Sequence, residues 1–351
     1  MERVKPGDFW CGRPVYLLDG TSLSMPDTKL NQGKYPQPSG QKKGCGFPVM
    51  RMVASFSLTT GGLLSHREGA LNVHERILWH EMWGDYKQGD IVLADCGFCA
   101  FADYALLRQR GVDCVMALHQ AREEKTVIKE LNKNDRLVQW QKPKKRMAWI
   151  TQEQWDTLPK EMTVRHINIT VAIPGYRTKN LVIATTLLDE KKYPTQALAD
   201  LYLQRWLVEL FFRDIKTTMR MDILRCKTPE MVKKELALFI IAYNLIRILI
   251  WEAVLKNGGN PLRISVAGTI AIIRQWAPLL TMIEEQDQKL KLIQGMMQLI
   301  AAEILPNRRH RAGQPRAIKR RMKNYQLLSK PRGEFTETAN RHKYKKNLAT
   351  S

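Results

Sequence analysis

The chain has 351 residues, 44% of them hydrophobic, with 56 Lys and Arg against 34 Asp and Glu, a formal charge of +22. That length and apolar content support a packed core, and six cysteines in so long a chain exclude a disulfide-built scaffold. The basic excess points to a polyanionic partner, nucleic acid first and an anionic membrane surface second.

The opening "MERVKPGDFW" lacks the apolar run of a secretory signal, so reduced thiols and a cytoplasmic setting are expected. "VYLLDGTSL" (15–23) reads as a strand that ends on Asp19 and runs into turn residues. The Pro-, Gly- and Asn-rich residues 24–46 follow as a long loop. Residues 47–70 give a long apolar strand, a TTGG turn and a shorter strand, a hairpin signal. "HERILWHEMWGDY" (74–86) has helical spacing, and "DIVLADCGF" (90–98) is a short apolar strand ending on Asp95. A helix over 100–111 and a strand over 112–119 complete an α/β pattern. Its first three strands are antiparallel and its later ones can pair in parallel. "CGFC" (96–99) has no second CxxC and no nearby histidine, which leaves it weak as a zinc or redox motif.

From about 120 to 190 the texture becomes β-favouring with frequent charges. This stretch reads as a β-rich insertion, not a continuation of the preceding sheet. Residues 195–305 return to long helices. Among them "LALFIIAYNLIRILIWEAVL" (236–255) is long enough to span a membrane, but Asn244, Arg247 and Glu252 lie inside it. A buried core helix is expected instead, and no membrane partner. From Pro306 onward stand 14 Lys and Arg against 2 acids, which reads as a phosphate-gripping arm in preference to a solvated run. The expected divisions are 1–120 and 193–305 for the two parts of a core, 121–192 for the insertion and 306–351 for the basic tail.

Three acids stand out. Asp19 and Asp95 each follow a buried strand and precede a loop, where α/β folds place ligands; capping of the next turn is the plain alternative. The third lies in "YLQRWLVELFFRDIK" (202–216), a helix apolar almost all round. At about 100° per residue, Tyr202, Arg205, Glu209 and Lys216 fall in one strip about 60° wide. An internal Arg205–Glu209 pair would explain two of the four. If Glu209 faces Asp19 and Asp95, three carboxylates converge and repel, which a pair of divalent cations would relieve. Hard oxygen donors suit Mg²⁺ or Mn²⁺, and two such ions serve phosphoryl transfer. Arg205, Tyr202 and Lys216 would then hold phosphates of the strand being cut.

The Y-x2-R-x3-E-x6-K spacing of those four residues resembles the signature of insertion-sequence DDE transposases of the family 4 group. "LLDGTSLSMPDTKLNQGKYPQP" resembles that family's first-aspartate motif, and "GDIVLADCGFCAFADYALLRQRGVDCVMALHQ" its second. The region from Arg177 through Glu230 resembles its glutamate segment, and "AYNLIR" (242–247) and residues 315–332 its C-terminal segments. The resemblance implies an RNase H-like α/β core, a mixed sheet flanked by helices, with a β-rich insertion before the helix carrying the glutamate. It implies Asp19, Asp95 and Glu209 as the catalytic, Mg²⁺-binding triad, with Mn²⁺ able to substitute, and DNA contacts from Tyr202, Arg205 and Lys216. The implied reaction is cut-and-paste transposition on double-stranded DNA, by a homodimer associated with the bacterial nucleoid. Two departures stand against the pattern: Cys96 replaces the arginine or similar residue expected after the second aspartate, and only 18 residues precede Asp19. The usual amino-terminal DNA-binding region is therefore expected to be lacking. A catalytically silent DNA-binding remnant and a nuclease without strand transfer stay open beside the transposase.

Overall fold

The computed structural model describes residues 5–119, 126–171 and 179–306, together with Leu328, Lys330, Pro331 and Glu334. The basic segments "NRRHR" and "RAIKRRMKNY" lie outside the described residues.

Nine strands form one mixed sheet. They are β1 (Val15–Ser24), β2 (Val49–Ser57), β3 (Leu63–Ala70), β4 (Ile91–Ala94), β5 (Asp113–Ala117), β6 (Val127–Asn132), β7 (Asp135–Gln141), β8 (Glu161–Val171) and β9 (Lys179–Thr185). Their spatial order is β3-β2-β1-β4-β5-β9-β8-β7-β6. The β2–β3 hairpin runs antiparallel to β1, β4 and β5 join in parallel, and β9 returns antiparallel on β5. The segment expected to stand apart as an insertion thus continues the same sheet. The reason lies in β9, whose apolar "LVIAT" meets Val115–Ala117 in register and buries Ile183 and Ala184 on opposite faces.

Strand alternation sorts the core into two layers. Leu17, Ala54, Leu93 and Val115 face one cluster, which is covered by α5 (Thr195–Leu203), α6 (Leu207–Arg213) and α7 (Pro229–Asn257). Leu18, Val53, Val92 and Cys114 face the other, against α2 (Glu75–His80) and α3 (Phe101–Gln109). A third cluster joins the second half of α7 to α8 (Val266–Met282) and α9 (Gln286–Ala302). The short helices α1 (Lys29–Lys34) and α4 (Gln152–Thr157) complete the described set.

Inside the β-rich half, Arg165 is fully buried. Its guanidinium donates to Asp135 and to the Tyr193 carbonyl, and Thr195 Oγ1 donates to Asp135 at 2.6 Å. A paired and fully hydrogen-bonded charge of this kind joins β7 and β8 to the start of α5.

α7 departs from the expected buried helix. It is the one described helix long and apolar enough to cross a membrane by length and composition, yet only 33% of its apolar window is buried. Its polar residues have internal tasks. Asn244 brackets Leu63, accepting from its N–H at 2.8 Å and donating to its carbonyl at 3.0 Å. Arg247 donates to Tyr243 Oη at 2.9 Å and Asp214 Oδ2 at 3.0 Å, while Tyr243 donates to the Gly61 carbonyl at 2.7 Å. Gly61 has φ +70° and a Cβ there would lie 3.0 Å from that guanidinium, so the hairpin turn requires glycine on both counts. One face of α7 is pinned to the hairpin, and the described residues leave the other open.

Candidate active site

β1 does not end at Asp19. It runs on to Ser24, because β2 supplies antiparallel partners along the whole stretch, with Asp19 opposite Ala54. β4 is what ends. Its parallel ladder with β1 stops at Leu17↔Leu93, so Asp19 and Asp95 fall at matching positions two residues beyond the last pair. The sheet splits between them, and that crevice is where a parallel sheet binds ligands.

Each aspartate is locally held by one oxygen. Asp19 Oδ1 accepts from Gly20 N at 2.7 Å. Asp95 Oδ1 accepts from Gly97 N at 2.8 Å and caps the short turn Cys96–Phe98, so the capping alternative holds for Asp95 as far as that oxygen goes. A Cβ on Gly97 would lie 3.1 Å from the same oxygen. Burial pushes the Asp19 carboxyl up to about 6, and the negative charges of Asp95 and Glu75 add to the rise. The Gly20 N–H and the Arg205 charge oppose it.

The helix "YLQRWLVELFFRDIK" is not uniform. α5 ends at Leu203, a 3-10 turn spans Gln204–Trp206, α6 follows, and a π turn spans Asp214–Thr218. A tight turn and a wide one alter the phase between the four strip residues. Tyr202 is buried against the first core layer, and desolvation raises its phenol to about 12. Arg205 is electrostatically coupled to Tyr202 and Asp19 and stands 3.7 Å from Glu209, whose side chain is 51% exposed. Lys216 turns back to β1, its Nζ donating to Thr21 Oγ1 at 3.0 Å and to the Ser22 carbonyl at 3.1 Å. Burial lowers its pKa, with Asp222 acting in the opposite sense.

The structure therefore brings Asp19 into electrostatic reach of Asp95 and Arg205, while Glu209 joins through Arg205. Among the described residues no group of three His, Cys, Asp or Glu side chains could hold a metal ion. The two aspartates do suit one: each offers a hard oxygen donor, and a cation would relieve the repulsion that raises Asp19. Glu75 enters the site without any signal in the sequence. It opens α2, with its Oε1 3.6 Å from Arg51 Nε, and a Cβ on Gly20 would meet its carboxyl carbon at 2.5 Å. Cys96 and Cys99, neither in a disulfide, flank the short turn, with Cys99 buried beside Tyr104.

Residues 10–245 match the family model described as a transposase DDE domain. Transposase InsG for insertion sequence element IS4, from Escherichia coli (strain K12), is 27% identical over 332 residues, which cover 93% of this chain and 72% of InsG. Putative transposase InsL for insertion sequence element IS186A, from the same strain, is 37% identical over 65 residues, 18% of either chain. Among solved structures, a piggyBac transposase synaptic complex with hairpin DNA aligns over 84% of this chain and 58% of that one. Its TM-score is 0.41 at 9% identity, a likeness too slight to carry anything further.

Proposed function

Since this chain belongs to the transposase DDE-domain family, we propose that it moves an insertion sequence by cut-and-paste on double-stranded DNA. Water cleaves the phosphodiester at the element's end, and the freed 3′-hydroxyl then attacks a phosphodiester of target DNA. One relationship carries this reading: Asp19 and Asp95 flank the crevice that opens where β1 and β4 part, with the Arg205 charge in electrostatic reach of Asp19. The mixed sheet covered by helices agrees with the RNase H-like core that such chemistry uses.

In this reading Asp19 and Asp95 hold Mg²⁺, or Mn²⁺ in its place, and Glu209 completes the set when Arg205 leaves it for a phosphate. The bound cations would activate the attacking oxygen and stabilise the leaving one. Arg205 offers a bidentate grip on the strand being cut. Tyr202 presents its phenol as a neutral hydrogen-bond partner at any working pH, given its raised pKa. Lys216 gives two of its three donors to β1 and keeps one for the backbone of the DNA. The basic segment beyond Pro306 supplies sequence-independent affinity. Subunits act in pairs on the two ends of the element.

The test is incubation of the purified chain with its gene's native flanking DNA and Mn²⁺, beside Glu209→Gln. Breaks at the element's borders that the variant lacks, followed by new donor–target joints, are expected. Breaks without joints would leave a nuclease. No breaks, with salt-sensitive DNA binding intact, would leave a DNA-binding remnant.

A further inference from the structure

The open face of α7 is not a scatter of apolar residues. Met231, Leu238, Ile241, Leu245, Ile248 and Leu255 are each 47–67% exposed, and with Lys234 and Glu252 they repeat at alternating steps of three and four. That spacing is the a/d seam of a coiled coil, narrower than the stripe a helix needs to lie on a globular core. The core-facing stripe is separate: Val232, Leu236, Ile240, Tyr243, Arg247, Ile250 and Val254 are buried on the other side. One helix of 29 residues, about 43 Å long, thus carries two apolar faces, and the described residues cover only one.

We propose that this seam pairs with the same seam of a second copy, antiparallel, about a two-fold axis at position 243. The sequence is self-complementary about that point. In this register Met231 meets Leu255, Leu238 meets Ile248, and Ile241 meets Leu245, each across the axis. The two polar seam positions meet each other, so Lys234 of one copy lies against Glu252 of the next. Within one helix Lys234 also reaches the exposed Glu230 at 2.9 Å, which leaves further ammonium donors for the Glu252 of the next copy. Every seam position finds a partner of matching chemistry, and a two-fold axis makes each match occur twice. A parallel pairing in register would set Lys234 on Lys234 and Glu252 on Glu252, which like-charge repulsion disfavours. The charge pattern therefore selects the orientation as well as the partner. A membrane would accept the apolar residues but gains nothing from Lys234 and Glu252 in the line. The inference stands apart from transposition, since the pairing needs no DNA.

The full chain in DNA-free buffer is examined by sedimentation equilibrium, with far-ultraviolet circular dichroism as a folding control. A dimer at low micromolar concentration is expected. Ile241→Glu/Leu245→Glu, changed at exposed positions that leave the core untouched, becomes monomeric with an unaltered spectrum. Lys234→Glu weakens the dimer about tenfold, equivalent to about 1.4 kcal/mol, and adding Glu252→Lys restores it. Leu238→Cys mixed with Ile248→Cys gives a cross-linked pair joining positions 238 and 248, identified by peptide mass, whereas a parallel seam would join 238 to 238. A monomer at tens of micromolar overturns the proposal. So does a dimer that the double glutamate variant leaves intact, or a monomer whose only use of the stripe is binding to lipid vesicles.

Discussion

Lys216 is bound to Thr21: its Nζ donates to the Thr21 hydroxyl at 3.0 Å, two residues along β1 from Asp19. The cation beyond the helix that carries Glu209 thereby fixes the strand that carries Asp19. Because the ammonium is partly buried with its pKa lowered, its two bonds to β1 do more than a surface contact would. Lys216→Met is expected to cost about 1–2 kcal/mol in urea unfolding and to reduce cleavage by more than that loss explains. Full cleavage by the methionine variant would limit Lys216 to packing.

Asp19 gives a stability signature with a definite sign. Its carboxyl titrates at about 6 in the fold against 3.8 in the unfolded chain. Between those values the folded state holds the extra proton, so this group's contribution falls as pH rises through 4 to 6. Asp19→Asn should abolish cleavage yet gain up to roughly 2–3 kcal/mol at pH 7.5, an advantage that disappears near pH 4. Thermal unfolding at the two pH values checks this.

Metal addition tests the same group from the other direction. Mg²⁺ is expected to raise the melting temperature of the parent chain at neutral pH, by mass action on the folded state, and to do little for Asp19→Asn. Equal shifts in both would remove Asp19 from the binding set.

Glu209 should separate chemistry from stability. Its side chain is half exposed and its contact with Arg205 is long at 3.7 Å, so the pair contributes no more than about 1 kcal/mol. Glu209→Gln is expected to lose cleavage while keeping its melting point and its non-specific DNA affinity. Retained cleavage would exclude it from the triad.

Arg247 is the reverse case. It is 4% exposed, lies over the Phe211 ring at 4.9 Å and pairs with Asp214, whose carboxyl burial raises against the pull of Arg247 and Arg213. Arg247→Met should cost about 3–5 kcal/mol, because it strands a buried carboxylate. Adding Asp214→Asn should recover part of that loss, measured by denaturant midpoint at constant m-value.

Much of the site was legible as residue types and little of it as geometry. Asp95 announced itself, because "IVLA" is apolar at every position and an acid directly after it has no place in a core. Asp19 stands out partly on a misreading: Gly20, Thr21 and Ser22 read as a turn, yet β2 holds them as strand, with nine paired positions along β1. Spacing alone lined up Tyr202, Arg205, Glu209 and Lys216, but the 3-10 and π turns between them carry no sequence mark and redirect Lys216 to β1. Glu75 was invisible, since only the packing of α2 against the hairpin brings it to Gly20. The β-rich stretch read as separate because charges recur along it, yet Arg165 and Asp135 are buried as a pair and β9 joins the stretch to β5. In α7 the near-continuous apolar run concealed two stripes, which only burial distinguishes.

The Arg247 contacts have a mechanical consequence. One guanidinium clamps the turn after α6, the middle of α7 and, through Tyr243, the tip of the β2–β3 hairpin. The helix that carries Glu209 and the open seam are thus tied to each other through one side chain. Should two copies join along that seam, the distance between their two crevices would be set like the gauge of a rail. Two cuts made by such a pair would have a fixed offset, and slack in the DNA, not in the protein, would have to absorb any mismatch.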